Sequence, residues 1–312
     1  LKILLQIKSL ISQANKKMKL FCFGFGQVAQ SFVEHLLNCK VDLKLTTTSR
    51  MNTEKRTIKN LKYMNYEFVE KYYDFYFDKD LIKPLEEADH ILISVRPIVG
   101  IDLFLHKLVH RCNFSNCKWL TYLSSTSVYG NHDGAWVNES SKTNPQTDAG
   151  KTRLDVENDW LTTAKSISLP LQIFRLSGIY SFRFNAINRL RDGQKFVVDK
   201  KNHFFSRIHL ADIAQTLYLS LNKSLNNDIY NLSDDKPAPN IEVVKYACNL
   251  MNFKLPKIIS PDELEEGMLK DFYKDSKKVS NKKIKDIFKV KLIYPSYEEC
   301  LKVHAEDIKA IL

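Results

Sequence analysis

Six residues near the start of the 312-residue chain have the spacing of a phosphate-binding turn. Gly24-Phe25-Gly26-Gln27-Val28-Ala29 reads G-x-G-x-x-A. The apolar run KLFCF precedes it, and VAQSFVEHLLN, with apolar residues at helical spacing, follows. At such a junction Gly24 permits a tight turn and Gly26 lets the backbone approach a pyrophosphate. Ala29 lets the helix pack closely on the strand. Unbonded N–H groups at the helix start then attract negative charge. The turn predicts dinucleotide binding by Gly24, Phe25, Gly26, Gln27 and Val28; a tight turn without a ligand is the alternative.

The end of the second strand decides which nicotinamide dinucleotide such a turn holds. An acidic residue there accepts hydrogen bonds from the adenine ribose of NAD. Here the strand VDLKLTTTS ends in Thr47-Thr48-Ser49-Arg50, with no Asp or Glu. Arg50 can form paired hydrogen bonds to a 2′-phosphate, with Ser49 assisting. NADP is the preferred cofactor and NAD the alternative; Arg50 as an ordinary exposed loop residue also stays open. A second anion signal lies further on. Arg153, Arg175, Arg183, Arg189, Arg191 and Arg207 fall in one stretch of a chain whose 47 basic residues are mostly lysine. Arginine there suits paired hydrogen bonding to phosphate or carboxylate. For Arg189 and Arg191 a solvated face of the helix NAINRLRDGQK competes with that role.

Three further segments carry a family likeness. LSSTSVYGN (residues 123–131) holds a strand-end serine, RLSGIY (175–180) follows the next helix, and FSRIHLADIA (205–214), which reads R-x-H-x-x-D-x-A, is similar to a family segment R-x-x-H-x-x-D-x-A. With the glycine turn, and in this order, they make the chain resemble an extended short-chain dehydrogenase/reductase. The likeness is to the NAD-dependent epimerase/dehydratase-like kind, in a divergent bacterial subgroup. It implies a Ser, a Tyr and a Lys acting together. The Tyr phenol exchanges a proton with the substrate oxygen while hydride moves to or from the nicotinamide. The Lys, four residues on, lowers the phenol pKa and holds the ribose.

Ser125 falls at the serine position, with Ser124 and Thr126 beside it. The other two positions are changed. The segment from Ala149 to Glu157 keeps Gly150, Thr152, Leu154 and Glu157 of the family frame, but Ala149 stands at the Tyr and Arg153 at the Lys. Alanine has no proton to exchange. Arg153 keeps a charge that can hold a ribose or phosphate, yet its pKa above ~12 makes it a poor acid. Tyr129, Tyr180 and His209 are the candidate stand-ins. The one Tyr-x-x-x-Lys of the chain, Tyr273 to Lys277, lies in a charged stretch far from the expected place.

By the same likeness Ser124 and Arg153 meet the cofactor. Thr126, Tyr129, Tyr180, Arg207 and Asp212 meet the substrate, a small anion such as a nucleotide-linked or phosphorylated sugar. A homodimer is also implied. Two functions are open: an oxidoreductase or epimerase with an altered proton donor, and a catalytically inactive NAD(P)-binding sensor or regulatory protein.

These residues need a parallel sheet to position them. KLFCFGFG, VDLKLTTTS, EADHILISVRP, CKWLTYLSS and LPLQIFRLSGIY alternate with helix-like stretches. That predicts an α/β fold, a Rossmann-type doubly wound parallel sheet covered on both faces. Past residue 180, short strands and charged helices predict a smaller C-terminal α/β substrate lobe. Among them is PNIEVVKYACNLMN, opening at Pro239 or Asn240. The expected units are an N-terminal extension over 1–17, a dinucleotide-binding domain over 18–180, and over 181–312 a substrate lobe interleaved with the last Rossmann elements. Met18 as the true start and a native tail over 1–17 both stay open.

Composition narrows the partners. A chain that is 44% hydrophobic can bury a sizeable core. Six cysteines without a secretory signal read as reduced thiols in the cytoplasm. No apolar run reaches the ~18 residues of a membrane span. The net charge of +11 comes from dispersed lysine without an interleaved basic and aromatic motif, so nucleic acid is not an expected partner. The lysine-rich stretch 277–291 reads as a solvated helix face. His106, His110, Cys112 and Cys117 have metal-like spacing, but LFLHKLVHRC reads as an ordinary amphipathic helix, and no metal is expected.

Overall fold

The computed structural model describes residues 17–50, 54–71, 74–77, 79–98, 102–223 and 227–311. The apolar runs pair into a nine-stranded sheet: β1 (Met18–Phe23), β2 (Leu43–Ser49), β3 (Glu54–Ile58), β4 (Leu61–Lys71), β5 (Asp74–Phe77), β6 (His90–Ile93), β7 (Trp119–Ser125), β8 (Leu171–Leu176) and β9 (Asp228–Leu232). The order is β9-β8-β7-β6-β1-β2-β4-β3, with β5 on β4. From β9 across to β4 every pair is parallel; β3 and β5 run antiparallel to β4. β7 and β8 are buried along nearly their whole length, as strands covered on both faces are.

Around the sheet lie α1 (Gln27–Asn38), α2 (Ile82–Glu87), α3 (Asp148–Ser166), α4 (Ala186–Arg191), α5 (Leu210–Ser220), α6 (Asn240–Met251), α7 (Lys282–Phe288) and α8 (Tyr297–Ile311). Helices α1, α5 and α7 bury Phe32, Leu36, Leu217 and Phe288 on one face. The other face is covered by α2, the segment 102–109 and α3, through Leu85, Phe104 and Trp160. Helices α4, α6 and α8 pack on each other and form the lobe. Although β9, α5 and α7 follow residue 180, they belong to the central layers, so the two halves of the chain interleave. No helix among the described residues is long and apolar enough to cross a membrane.

Two elements differ from the sequence expectation. Strand–helix alternation breaks between β2 and β4, where the described chain forms β3. Lys59 and Asn60 both take positive φ, +43° and +67°, and Ile58 pairs with Leu61 across them. That is a two-residue hairpin turn of the kind that matches strand twist. The stretch LFLHKLVHRC is not a regular amphipathic helix: Leu105–Val109 is a single wide turn. It is anchored where the Leu105 N–H donates to Asp102 Oδ1 at 3.0 Å.

Helix α3 is fastened to β8 by a buried ion pair. Arg175 Nε donates to both carboxylate oxygens of Glu157 at 3.1 Å, and Nη2 donates to Oε2 at 2.6 Å. Both residues are buried. Removing one partner leaves a charge without water, which costs about 3–5 kcal/mol. Glu157→Gln is therefore expected to lower the urea midpoint by that equivalent. A loss below about 1 kcal/mol would mean that Arg175 is satisfied by other groups.

Candidate dinucleotide and anion site

The sheet reverses its order at β1, whose neighbours are β2 and β6. A crevice opens at the carboxyl ends of strands at such a switch point, and the glycine turn sits there. Gly24 has φ +86°, and a Cβ on it would lie 2.6 Å from Val95 Cγ2, so only glycine fits. Its N–H donates to Thr48 Oγ1 at 2.9 Å, at the end of β2. Its carbonyl accepts from Ser94 Oγ at 3.0 Å, just past β6. The turn is thus held from both adjoining strands. Gly26 differs: nothing lies within 4 Å of a Cβ built there. It precedes α1 in extended backbone with no side-chain cap. The N–H groups of Gly26, Gln27 and Val28 have no hydrogen-bond partner among the described residues. Phe25 rests its ring on Tyr63, 5.3 Å between centroids.

At the end of β2, Thr47 Oγ1 donates to Asn65 Oδ1 at 2.8 Å, and Asn65 Nδ2 donates to Ser49 Oγ at 2.7 Å. Asn65 thereby fixes Ser49, and Arg50 follows it, exposed. The register of β4 also sets Glu67 opposite Ser49. This acidic neighbour is invisible from the end of β2 alone, because it arrives through the hairpin.

The serine motif ends β7, the strand next to β6. Ser125 Oγ accepts the Ser127 N–H at 3.2 Å and caps the single turn 126–129. Ser124 and Thr126 are buried, and Ser124 Oγ has no partner among the described residues. Helix α3 begins against this turn, and a Cβ on Gly150 would lie 3.0 Å from the Ser127 carbonyl. That close approach accounts for the glycine in the family frame. Ala149 is exposed. Arg153 Nη1 donates to the Leu123 carbonyl at 3.1 Å. It also faces Asp102, whose carboxyl burial pushes up to about 6. One terminal nitrogen of Arg153 is thus spent on the sheet, unlike a lysine free to hold a ribose.

Several expected ligand contacts turn out to be structural. Arg175 belongs to the buried pair with Glu157. Tyr129 is buried, and its hydroxyl donates to Asn231 Oδ1 at 2.8 Å. His209 Nδ1 accepts the Ala211 N–H at 3.1 Å and so caps α5. Its ring lies 4.0 Å from that of Tyr294, and burial pushes its pKa down to about 4, so it is a neutral cap rather than an acid. Asp212 is corrected most clearly. It is fully buried and accepts the N–H groups of Ile293 at 2.6 Å and Tyr294 at 3.1 Å. It fastens the loop before α8 and cannot meet a substrate.

Arg207 remains available. Its Nη1 donates to the carbonyls of Phe205 and Ala238, each at 3.0 Å. Its guanidinium lies over the rings of Phe205 and Tyr297, at 5.7 and 5.9 Å. Nε and Nη2 have no hydrogen-bond partner among the described residues. Arg189 stands close enough to repel it, and Tyr273 faces both. Among the described residues neither arginine has an ion-pair partner. Two guanidiniums within electrostatic reach of each other, neither in ion-pair contact with a carboxylate among the described residues, are arranged for an anion. Arg189 also lines a cavity of about 650 Å³ with Arg183 and Arg191. Tyr273 and Lys277 are not a pair, since Lys277 Nζ lies 3.6 Å from Asp275 Oδ2. Sequence spacing could not place Tyr273 beside Arg207, because the two are brought together only by the fold.

Comparison with known proteins places this geometry. No family model and no curated protein matches the chain. Solved structures do. A functionally unknown conserved protein from Silicibacter pomeroyi is 31% identical, with 93% of this chain and 99% of that one covered and a TM-score of 0.78. The dTDP-glucose 4,6-dehydratase of Bacillus anthracis is 16% identical over 94% of this chain and 97% of its own, with a TM-score of 0.72. The UDP-N-acetylglucosamine 4-epimerase of Bacillus cereus is 17% identical over 94% and 100%, with a TM-score of 0.71. The two enzymes share the fold. The chain belongs to the family of the Silicibacter pomeroyi protein.

Proposed function

We propose that the chain binds NADP, or NAD, at the glycine turn and takes a nucleotide-linked or phosphorylated sugar at Arg189 and Arg207. It acts there as an oxidoreductase or epimerase with an altered proton donor. One observation carries this reading: three N–H groups at the head of α1 have no partner among the described residues, beside an open position at Gly26, on a turn clamped from both sides. Such a cradle fits a pyrophosphate. The Bacillus anthracis dehydratase was solved in complex with NAD, and a Bacillus cereus UDP-glucuronic acid 4-epimerase with UDP-glucuronic acid and NAD; both support the assignment by fold.

When bound, the dinucleotide supplies hydride transfer. The chain's residues do the rest. Gly26, Gln27 and Val28 donate to the pyrophosphate. Arg50 and Ser49 hold the 2′-phosphate of NADP, while Glu67 beside Ser49 supports the NAD alternative. Ser124 and Ser125 offer hydroxyls at the end of β7, and the arginines hold the substrate's charge. A homodimer in the cytoplasm is the proposed setting. A second reading, a sensor that binds without turnover, is favoured by Ala149 and by the bond from Arg153 to the Leu123 carbonyl.

Thermal-shift titration tests the cradle, because a ligand of the folded state raises the melting temperature. Gly26→Ala should leave the free protein's stability unchanged, since its Cβ meets open space, and should abolish the shift with NADPH and NADH. Gly24→Ala should lower stability itself, by about 1–3 kcal/mol of backbone strain. An unchanged NADPH shift in Gly26→Ala would contradict the assignment. Arg50→Ala should weaken NADPH at least tenfold, about 1.4 kcal/mol, and spare NADH. Equal losses would remove the NADP preference. The double change Ala149→Tyr and Arg153→Lys should raise hydride exchange with UDP-sugars by about 10²-fold or more. No gain at all would favour the sensor.

A further inference from the structure

The paired arginines have an acidic neighbour with no role so far. Asp234 follows β9 and is 1% exposed. Its N–H donates to the Arg207 carbonyl at 2.6 Å, and its Oδ1 accepts the Lys236 N–H at 3.1 Å. Its Oδ2 and the hydroxyl of Tyr180 face each other, both buried, and neither has another hydrogen-bond partner among the described residues. Arg207 faces Asp234 electrostatically without forming an ion pair. The surrounding charges are otherwise matched. Asp235 is held by Asn281 and Lys285. Lys236 Nζ lies 2.6 Å from Glu298. From α8, Tyr297 faces Arg207 and Cys300 faces Tyr180; Asp212 of α5 also faces Tyr180.

We propose that Asp234 is the positioning residue of the Arg189–Arg207 pair, balancing Arg207 while the anion site is empty and taking up a proton when an anion binds. The inference rests on the proposed anion site. Burial pushes the Asp234 carboxyl up to about 7, against the pull of the Lys236 N–H and of Arg207. An anion on Arg207 cancels that pull, so the carboxyl's affinity for a proton rises further. Linkage is reciprocal, and protonation of Asp234 must strengthen anion binding by the same factor. Affinity is therefore at its plateau below the free carboxyl's titration and falls as pH rises through it.

Calorimetry on the full chain tests this with sulfate and UDP-glucose, neither of which titrates between about pH 6 and 8.5, in buffers of different ionisation enthalpy. The expected result is binding about fivefold weaker at the alkaline end, with proton uptake peaking at about 0.4 proton per anion, the amount that a fivefold linkage through one carboxyl allows. Asp234→Asn should bind at the acidic plateau at every pH. Tyr180→Phe keeps the carboxyl and removes a hydroxyl that favours its charged form, so it should move the fall to higher pH; it carries the test if Asp234→Asn does not fold. Proton-linked sulfate binding without UDP-glucose binding would sink the nucleotide-sugar assignment and leave this one standing. Anion binding without proton uptake, or no anion binding at all, overturns it.

Discussion

The site depends on one constraint: backbone N–H groups must be satisfied, and at the head of α1 none of the described residues satisfies the first three. A helix start leaves its first donors unpaired, and a side chain usually caps them. Here the capping position is Gly26, which has no side chain to offer. Gly24 is bonded to Thr48 and Ser94 and pressed on Val95, so the turn cannot relax to hide those donors. The ends of β2 and β6 thus pin the turn, while its outer face stays open. Sheet order does the same work at a larger scale, because only at β1 do the crossovers diverge and leave room above the strands.

Much of this was legible in the sequence because it is local. The turn, the strand-end serine and the starts of α5 and α6 all lie within a few residues of their signals. The hairpin of β3 and β4 is not legible in the same way: Lys59-Asn60 sits between two strand-like runs, but the surrounding charge hides the pattern. The segment 102–109 repeats apolar residues helically, yet Leu105–Val109 makes one wide turn. Neither was recoverable from periodicity alone.

The site residues divide by the same rule. A motif letter says that a residue is needed, not for what. In the segment from Arg207 to Ala214, His209 caps a helix and Asp212 fastens a loop, and Arg207 keeps donors without a partner among the described residues. In the frame from Ala149 to Glu157, Gly150 permits a close approach and Glu157 neutralises Arg175. Those residues hold the scaffold in place although the Tyr and Lys positions have changed. The clustering of arginine in the sequence is a poor guide to place. Arg175 is buried in the sheet and Arg153 grips it, while Arg183, Arg189 and Arg191 share a cavity. Long-range neighbours such as Asp234, Glu67 and Tyr273 had no local signature at all.

The central claim is that residues 24–29 form a pyrophosphate cradle, and a crystal structure of the chain soaked with NADPH measures it directly. The account predicts phosphate oxygens within hydrogen-bond distance of the N–H groups of Gly26, Gln27 and Val28. Gly24 should be unmoved against Thr48 and Ser94. A saturating soak that leaves those three groups bonded only to water, or covered by a side chain of the protein, would contradict it.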